Sequence, residues 1–569
     1  MKHSALLHIL LGCSLSAATL TSCLQELDPT RYVTKEQMEA SPTSLAGQNN
    51  AMAASMMNYG GSYSMAGYPA MMLWRDALCD QLPIYSDTYD YFNVPTRYMG
   101  DGGLYSDYWW QYYNTIHQAN LLIGLIDSAT SDPTSRRYLG NGLGYRAWAY
   151  LEAAQMWEFR RCGVATLDNY AEENHLWGLT VPIVTEKTTI DATRHNPRAP
   201  FHTMMRFIND DLCRAAEALQ GYERSSVNEM SPVVIDALQA RFWMLLASRF
   251  EQDETLLATQ LSHEGDNDGY RPLAITTAAD CYLRAAEAAQ RAIDASGQPM
   301  TRDEWYNAST AFNTVHPSWI FGIMMNADDN KGEDWKNFVS FMSPDATFGV
   351  ANATYEAMRL CDANLYSLIP TSDWRRDTWI SPDDAGNSEA ASRYPTILSG
   401  SDFALLPALT GLKFHPKAGA ADSYKEGAAI DLPIIRVEEM YYILAEALAM
   451  TDGIATGAAV LDNFTNTFRY TDGSFECPTD YIEHFLTALL QQKRIEFWGE
   501  GVVFWDYKRL RRGILRKYEG SNHPEAYQYN SPADVCARWL NIYLPSKEYN
   551  YNESIVRNPD PSYVEGMEY

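Results

Sequence analysis

Residues 491–509 read QQKRIEFWGEGVVFWDYKR, and a helical pattern, a break and a second helical pattern meet there inside one aromatic cluster. Leu486, Leu489, Leu490, Lys493 and Phe497 recur at helical spacing, which predicts an amphipathic helix reaching Trp498. Gly499 and Gly501 interrupt it, and Val502, Val503, Phe504, Trp505, Tyr507 and Leu510 open a second short helix. Phe497, Trp498, Phe504 and Trp505 are then expected at a corner between two packed helices, a place where much aromatic surface is buried. Arg494, Glu496, Glu500, Asp506 and Arg509 are interleaved with those rings, and charges so close to a core persist by pairing. Glu496 and Glu500 lie on one helical face, as a catalytic carboxylate pair could, but a structural pair is the reading adopted.

The stretch resembles the C-terminal signature of the SusD/RagB family of outer-membrane glycan-binding lipoproteins, approximately E-R-x-x-E-L-x-F-E-G-x-R-x-x-D-L-x-R. Glu496, Glu500, Gly501, Asp506 and Arg509 fall on the pattern, Phe497 replaces an aliphatic position, and Gln492, Gly499 and Val503 depart from it. Two further segments resemble the family. Asp431-Leu-Pro-Ile-Ile-Arg436 leads to Glu439, Ala445, Glu446 and Ala447, and a Tyr-Trp helix start leads to Ala119-Asn120.

A chain of 569 residues, 46% hydrophobic and 20% charged, is ordinary for a folded protein. Its net charge of -28 opposes phosphate backbones and anionic membrane surfaces, so nucleic acid is not an expected partner. Neutral ligands meet no such barrier, and 37 tyrosines and 15 tryptophans supply flat amphipathic faces.

Lys2, the apolar run Ala5 to Leu11 and the small residues through Ala18 have the form of a secretory signal over 1–22. Leu20-Thr-Ser-Cys23 resembles a bacterial lipobox, which implies lipidation at Cys23, a tether over 23–43 and a body over 44–569. The body is expected in two parts, about 44–220 and 230–569. Glu26 and Asp28 resemble the acidic export tags of Bacteroidetes surface lipoproteins, so a lipid-anchored protein on the outer face of the outer membrane is expected. Past Cys23 the cysteines are scattered without a C-x-x-C pair, which predicts free thiols rather than a disulfide scaffold or zinc site.

Tyr105 to Ala129 carries Tyr108 or Trp109, Tyr112, Ile116, Ala119, Ile123 and Ile126 along one helical stripe. Ala147, Tyr150, Ala153, Ala154 and Trp157 mark the next helix, and the alanine-and-aromatic texture returns in 234–250 with 280–293 and in 437–450 with 456–468. The expected fold is mainly α, with tetratricopeptide-like helix pairs packed against a loop-rich irregular half containing a few short β-hairpins.

Long segments rich in Gly, Pro, Asp, Asn and Tyr lie at 60–104, 161–199, 300–350 and 371–430, and loops of that length usually carry function. The first and third mix aromatic plates with acids and a guanidinium, the combination needed to cover a sugar's apolar face and pair its hydroxyls. Trp74, Arg75, Asp80, Tyr85, Tyr89 and Trp335 are the expected ligand contacts. Trp319 lies in a strand-like run and is expected in the core. The turns at Asp266 to Gly269 and Asp328 to Gly332 do not complete a calcium loop, so neither a metal nor a cofactor is expected.

No nucleophile elbow, zinc-protease, phosphate-loop or dinucleotide motif occurs. The resemblance implies a non-enzymatic protein that captures oligosaccharide or polysaccharide and delivers it to a SusC-like TonB-dependent transporter. The alternatives are a peptide-binding member of the same family, a tetratricopeptide-type scaffold, or an extracellular helical glycoside hydrolase, for which 72 acidic residues are available.

Overall fold

Tyr105, Tyr108, Trp109, Tyr112, Ile116, Ala119 and Ile123 are all buried along one face of a helix, as their spacing predicts. The computed structural model containing that helix describes residues 42–57, 63–89, 92, 103–328 and 335–562. The chain divides at Gly47, and Gln48–Tyr569 is one compact unit. The principal helices are α1 (Pro42–Ser55), α2 (Tyr68–Leu78), α3 (Gly103–Gly124), α4 (Pro133–Trp157), α5 (Phe201–Ala218), α6 (Pro232–Gln252), α7 (Ala278–Asp294), α8 (Val437–Thr451), α9 (Ile454–Phe468), α10 (Ile482–Glu496) and α11 (Val503–Leu510).

Local chemistry sets these helices. Asp132 caps α4 through the Ser135 amide at 2.8 Å, with Pro133 in the first turn. Thr277 and Asp280 form a reciprocal capping box on α7. Neighbouring helices then pack in sequence: α3 on α4, α4 on α5, α6 on α7, α7 on α8 and α8 on α9. Small residues permit the close approach. A Cβ at Gly140 in α4 would lie 2.5 Å from Leu219, just beyond α5. The fold is thus mainly helical, with stacked pairs beside an irregular half.

Two details differ from expectation. Residues 68–78 were expected in a loop and form α2, because Ala70, Met71, Met72, Leu73, Trp74 and Ala77 are apolar all round, and every residue of this helix is buried. The short hairpins are also absent among the described residues. The named strands β1 (Trp319–Ile323) and β2 (Leu432–Arg436) pair antiparallel, with Trp319 opposite Arg436 and Ile323 opposite Leu432. Both are wholly buried, and Trp319 is core. Isolated bridges such as Ile84 to Arg359 and Trp379 to Gly411 join the remaining loops.

The seven described cysteines are free, and six are buried. No helix among the described residues is long and apolar enough to cross a membrane.

Candidate functional site

The two helices of the 491–509 stretch end at Glu496 and begin at Val503, close to the expected Trp498 and Val502, with Gly499 and Gly501 at φ 80 and 69 between them. Positive φ is natural to glycine, and a Cβ on Gly501 would also lie 2.6 Å from the Met72 carbonyl oxygen of α2. The corner is therefore clasped to α2, and the Arg75 Nε donates to the Gly501 oxygen at 3.0 Å.

Glu496 lies at the centre of a buried ion network. Its carboxylate accepts from Arg375 at 2.9 Å, Arg436 at 3.0 Å and Arg469 at 2.8 Å. Glu500 accepts from Arg436 at 2.9 Å and from Lys413 at 2.5 Å. Asp373 and Glu438 supply the remaining negative charge, so four cations meet four carboxylates. Burial pushes the Glu496 carboxyl up, but Arg469, Arg436 and Arg375 together hold it well below the usual range. Burial draws Lys413 down to about 8 against the pull of Glu500. Neither acid faces open space, since Glu496 is fully buried and Glu500 nearly so. The pair holds structure together, as read from the sequence.

The expected ligand residues separate into two groups. Trp74, Arg75 and Asp80 are buried, which corrects their assignment as ligand contacts. Trp74 packs between Tyr105 at 5.5 Å and Tyr108 at 4.9 Å. Arg75 pairs with Glu152 at 3.1 Å and donates to the Tyr68 hydroxyl at 2.9 Å. Asp80 accepts from Arg494 at 2.9 Å, Tyr507 at 2.5 Å and the Leu515 amide at 3.1 Å. These partners already occupy the polar atoms a sugar would need.

Tyr85 and Trp335 are exposed, at 53% and 41%, and both are anchored to one aromatic cluster. Phe341 meets Tyr63 at 5.1 Å and Phe92 at 5.3 Å. The Trp335 carbonyl accepts from Ser340 in the short helix Phe338–Met342 that carries Phe341. The Tyr85 amide donates to Met358 at 2.9 Å, beside Arg359, whose guanidinium lies 6.0 Å from the Phe92 ring. Tyr89 closes the turn Asp87–Tyr89, and its side chain lies outside the described residues, as does Cys23.

A concave site that the sequence reading missed lies on α3. Trp110 is 46% exposed beside a cavity of about 580 Å3, lined also by Trp109, Tyr113 and Pro182, with Asp107, Lys547, Glu548 and Asn552 supplying polar groups. Trp109 is fixed against Trp157 at 4.9 Å and Tyr113 at 4.8 Å, and the Tyr113 hydroxyl donates to Pro182 at 2.7 Å. A rigid aromatic floor with a few polar groups is the usual composition of a small-ligand site. The signal was the Trp109-Trp110 pair itself, because adjacent helical residues cannot both face one core.

His202, His263 and Asp266 are the potential metal group among the described residues, with ligand atoms within 4.8 Å of one another. The imidazoles stack at 3.8 Å with planes 6° apart, which keeps their lone pairs in parallel planes, whereas coordination needs them to converge. The Asp266 turn is neutralised instead by buried Arg206, which pairs with Asp268 at 2.5 Å and Asp266 at 3.4 Å.

His523 provides a test of how the Asp80 region is held. Its Nε2 lies 3.1 Å from the Asp80 carbonyl oxygen and 3.6 Å from Asp362, and burial, with Arg516 nearby, keeps it well below its ordinary value. The folded state leaves it neutral while the unfolded chain takes up a proton near pH ~6.5, so its stabilisation is present above that pH and lost as the pH falls below it. The difference in urea midpoint between the parent and His523→Gln should therefore shrink from about pH 7.5 to about pH 5. A difference that grows on acidification would contradict this.

A family model described as the SusD family matches residues 411–561, the region that contains β2, the helix corner and the ion network apart from Asp373 and Arg375. The fold is similar to that of a SusD-like carbohydrate-binding protein from Bacteroides vulgatus, with a TM-score of 0.66 at 17% identity, covering 90% of this chain and 97% of that one. A putative sugar-binding protein from the same organism gives 0.61 at 18%, covering 91% and 98%. A laminarin-binding SusD-like protein gives 0.59 at 17%, covering 91% and 99%. No curated protein sequence matches the chain. The architecture is therefore SusD-like throughout. The family model covers the C-terminal part, and the solved structures extend the likeness of fold over about nine-tenths of the chain.

Proposed function

We propose that the protein captures oligosaccharide or polysaccharide at the cell surface without breaking a bond and delivers it to a SusC-like TonB-dependent transporter. The observation that carries the capture role is the half-exposed Trp110 beside a cavity of about 580 Å3 with an aromatic floor. An indole face covers the C–H side of a sugar ring, and nearby carboxylate, amide and ammonium groups take its hydroxyls. Tyr85 and Trp335 offer further plates for a long chain. The names of the SusD-like neighbours, which include sugar and laminarin binding, favour the same ligand class. A non-catalytic mechanism accords with the burial of Glu496 and Glu500 in ion pairs. The lipobox at Cys23 favours a lipid anchor in the outer membrane, facing the exterior.

Replacement of exposed aromatics tests the site. Trp110→Ala should keep the parent's thermal midpoint within a few degrees and weaken retention on a bound polysaccharide by about tenfold or more, the effect of a hot-spot aromatic. Tyr85→Ala and Trp335→Ala should weaken long chains more than short ones. Unchanged binding in all three would refute aromatic-plate capture. Co-purification with a TonB-dependent barrel encoded by the same cell tests delivery, and its absence under conditions that preserve other outer-membrane complexes would count against it.

A further inference from the structure

A second cavity, of about 500 Å3, opens between Phe159–Arg161, Trp177, the C-terminal end of α6 and Arg511. In a chain of net charge -28, it gathers the guanidiniums of Arg160, Arg161, Arg249 and Arg511. Several interior arginines elsewhere are matched by carboxylates, as Arg146 is by Asp211 at 2.7 Å and Arg375 by Asp373 at 2.7 Å, and others, such as Arg198 and Arg516, spend their donors on backbone carbonyls. Here only Arg249 is matched by a carboxylate, that of Glu158. Arg160, 7% exposed, is bonded to the neutral amide of Gln252 at 3.0 Å, and no described carboxylate lies within 4.0 Å of Arg160, Arg161 or Arg511.

The two acids on the cavity wall pair with neutral donors rather than with the arginines. Glu172 accepts from the Trp177 indole at 2.5 Å, and Asp253 caps the helix Glu254–Ser262 through the Leu256 amide at 2.9 Å. The Nε atoms of Arg249 and Arg511 are buried without a partner. Burial, and then the neighbouring Arg249, draw Arg160 down to about 10 against the pull of Glu158. Arginine forks match planar oxyanions in paired hydrogen bonds. Trp177, half-buried against Phe159 at 5.6 Å, carries the Arg161 guanidinium 4.9 Å from its ring centre and adds aromatic surface beside it.

We propose that this cavity binds an acidic sugar, with a carboxylate or sulfate held by the arginines and the sugar's apolar face against Trp177. The sugar part rests on the capture function above, whereas the oxyanion part rests on the arginines alone. Long-range attraction of an anion is opposed by the acidic surface and screened by salt, so recognition here is a short-range matter of paired hydrogen bonds.

Titration of the intact protein with D-glucuronate, D-glucose 6-sulfate, D-glucose and inorganic sulfate, followed calorimetrically, tests this. At least one acidic sugar should bind about tenfold or more tightly than D-glucose, the contribution of a charge-assisted hydrogen bond. The carboxylate and sulfate arms distinguish the two oxyanions. Arg161→Ala and Arg511→Ala, at exposed and half-buried positions, should fold and weaken that binding, and Arg160→Gln should abolish it. Failure of both acidic sugars to exceed D-glucose would overturn the proposal. So would inorganic sulfate binding as tightly as either sugar, which would mark an adventitious ion only. Polysaccharide retained through Trp110 while both acidic sugars fail would remove this inference and leave capture standing. Acidic sugars bound without any polysaccharide retained would uphold the cavity and count against capture.

Discussion

Glu496→Ala is expected to yield little or no folded protein. The substitution leaves Arg375, Arg436 and Arg469 around a void with their shared carboxylate gone. Breaking a buried ion pair by removing one partner costs about 3–5 kcal/mol, and here three guanidiniums lose a partner at once. Whole domains are stable by only about 5–15 kcal/mol, so the loss is comparable with the entire margin. Glu496→Gln keeps the shape and one acceptor oxygen and should be the milder change. Soluble yield, circular dichroism and urea midpoints distinguish the cases. A folded Glu496→Ala protein with near-parental stability that had lost a hydrolytic activity would show Glu496 to be catalytic.

Trp74→Ala should act on stability rather than on ligand. The ring is fully buried between Tyr105 and Tyr108, and truncating a core tryptophan costs about 3–5 kcal/mol. The thermal midpoint should fall by several degrees or more, while whatever protein remains folded binds glycan with the parent's affinity. A variant as stable as the parent but unable to bind would restore Trp74 to the ligand site. Trp110→Ala should show the converse pattern, because its ring is half exposed.

The contrast between Trp74 and Trp110 shows what the chain's pattern can and cannot reveal. Helical periodicity located α3, α4, α6 to α9 and the broken pair α10 and α11 to within a few residues, because a 3.6-residue repeat of apolar side chains is a local property. The glycine break was legible for the same reason. Burial in the 60–104 segment was not. Trp74, Arg75 and Asp80 show the same mixture of ring, guanidinium and acid whether they meet a sugar or one another. Their partners decide the matter, and these lie far along the chain: Glu152 for Arg75, and Arg494 and Tyr507 for Asp80. The pairing of β1 with β2 escaped for a similar reason, since strands from distant segments carry no turn signal. Trp110 was passed over because attention to the buried stripe drew its neighbour Trp109 inward without asking where the next side chain must point.

The Glu496 network gives the residues of the C-terminal signature a structural role. Arg436 ends β2, Arg469 follows α9 and Arg375 comes from the irregular half, so the carboxylate at 496 ties three separate segments to α10. The residues that carry the family resemblance therefore report on folding. On the proposed capture role, ligand choice belongs to surfaces such as those at Trp110, Tyr85 and Trp335.

The most direct measurement incubates the intact protein with immobilised neutral and acidic polysaccharides, follows retention, and analyses every retained glycan for new reducing ends. Capture predicts saturable retention of at least one glycan, recovered at its original chain length and released when Trp110 is replaced by alanine. Shorter products accumulating in proportion to protein and time would contradict it and make the protein a glycoside hydrolase.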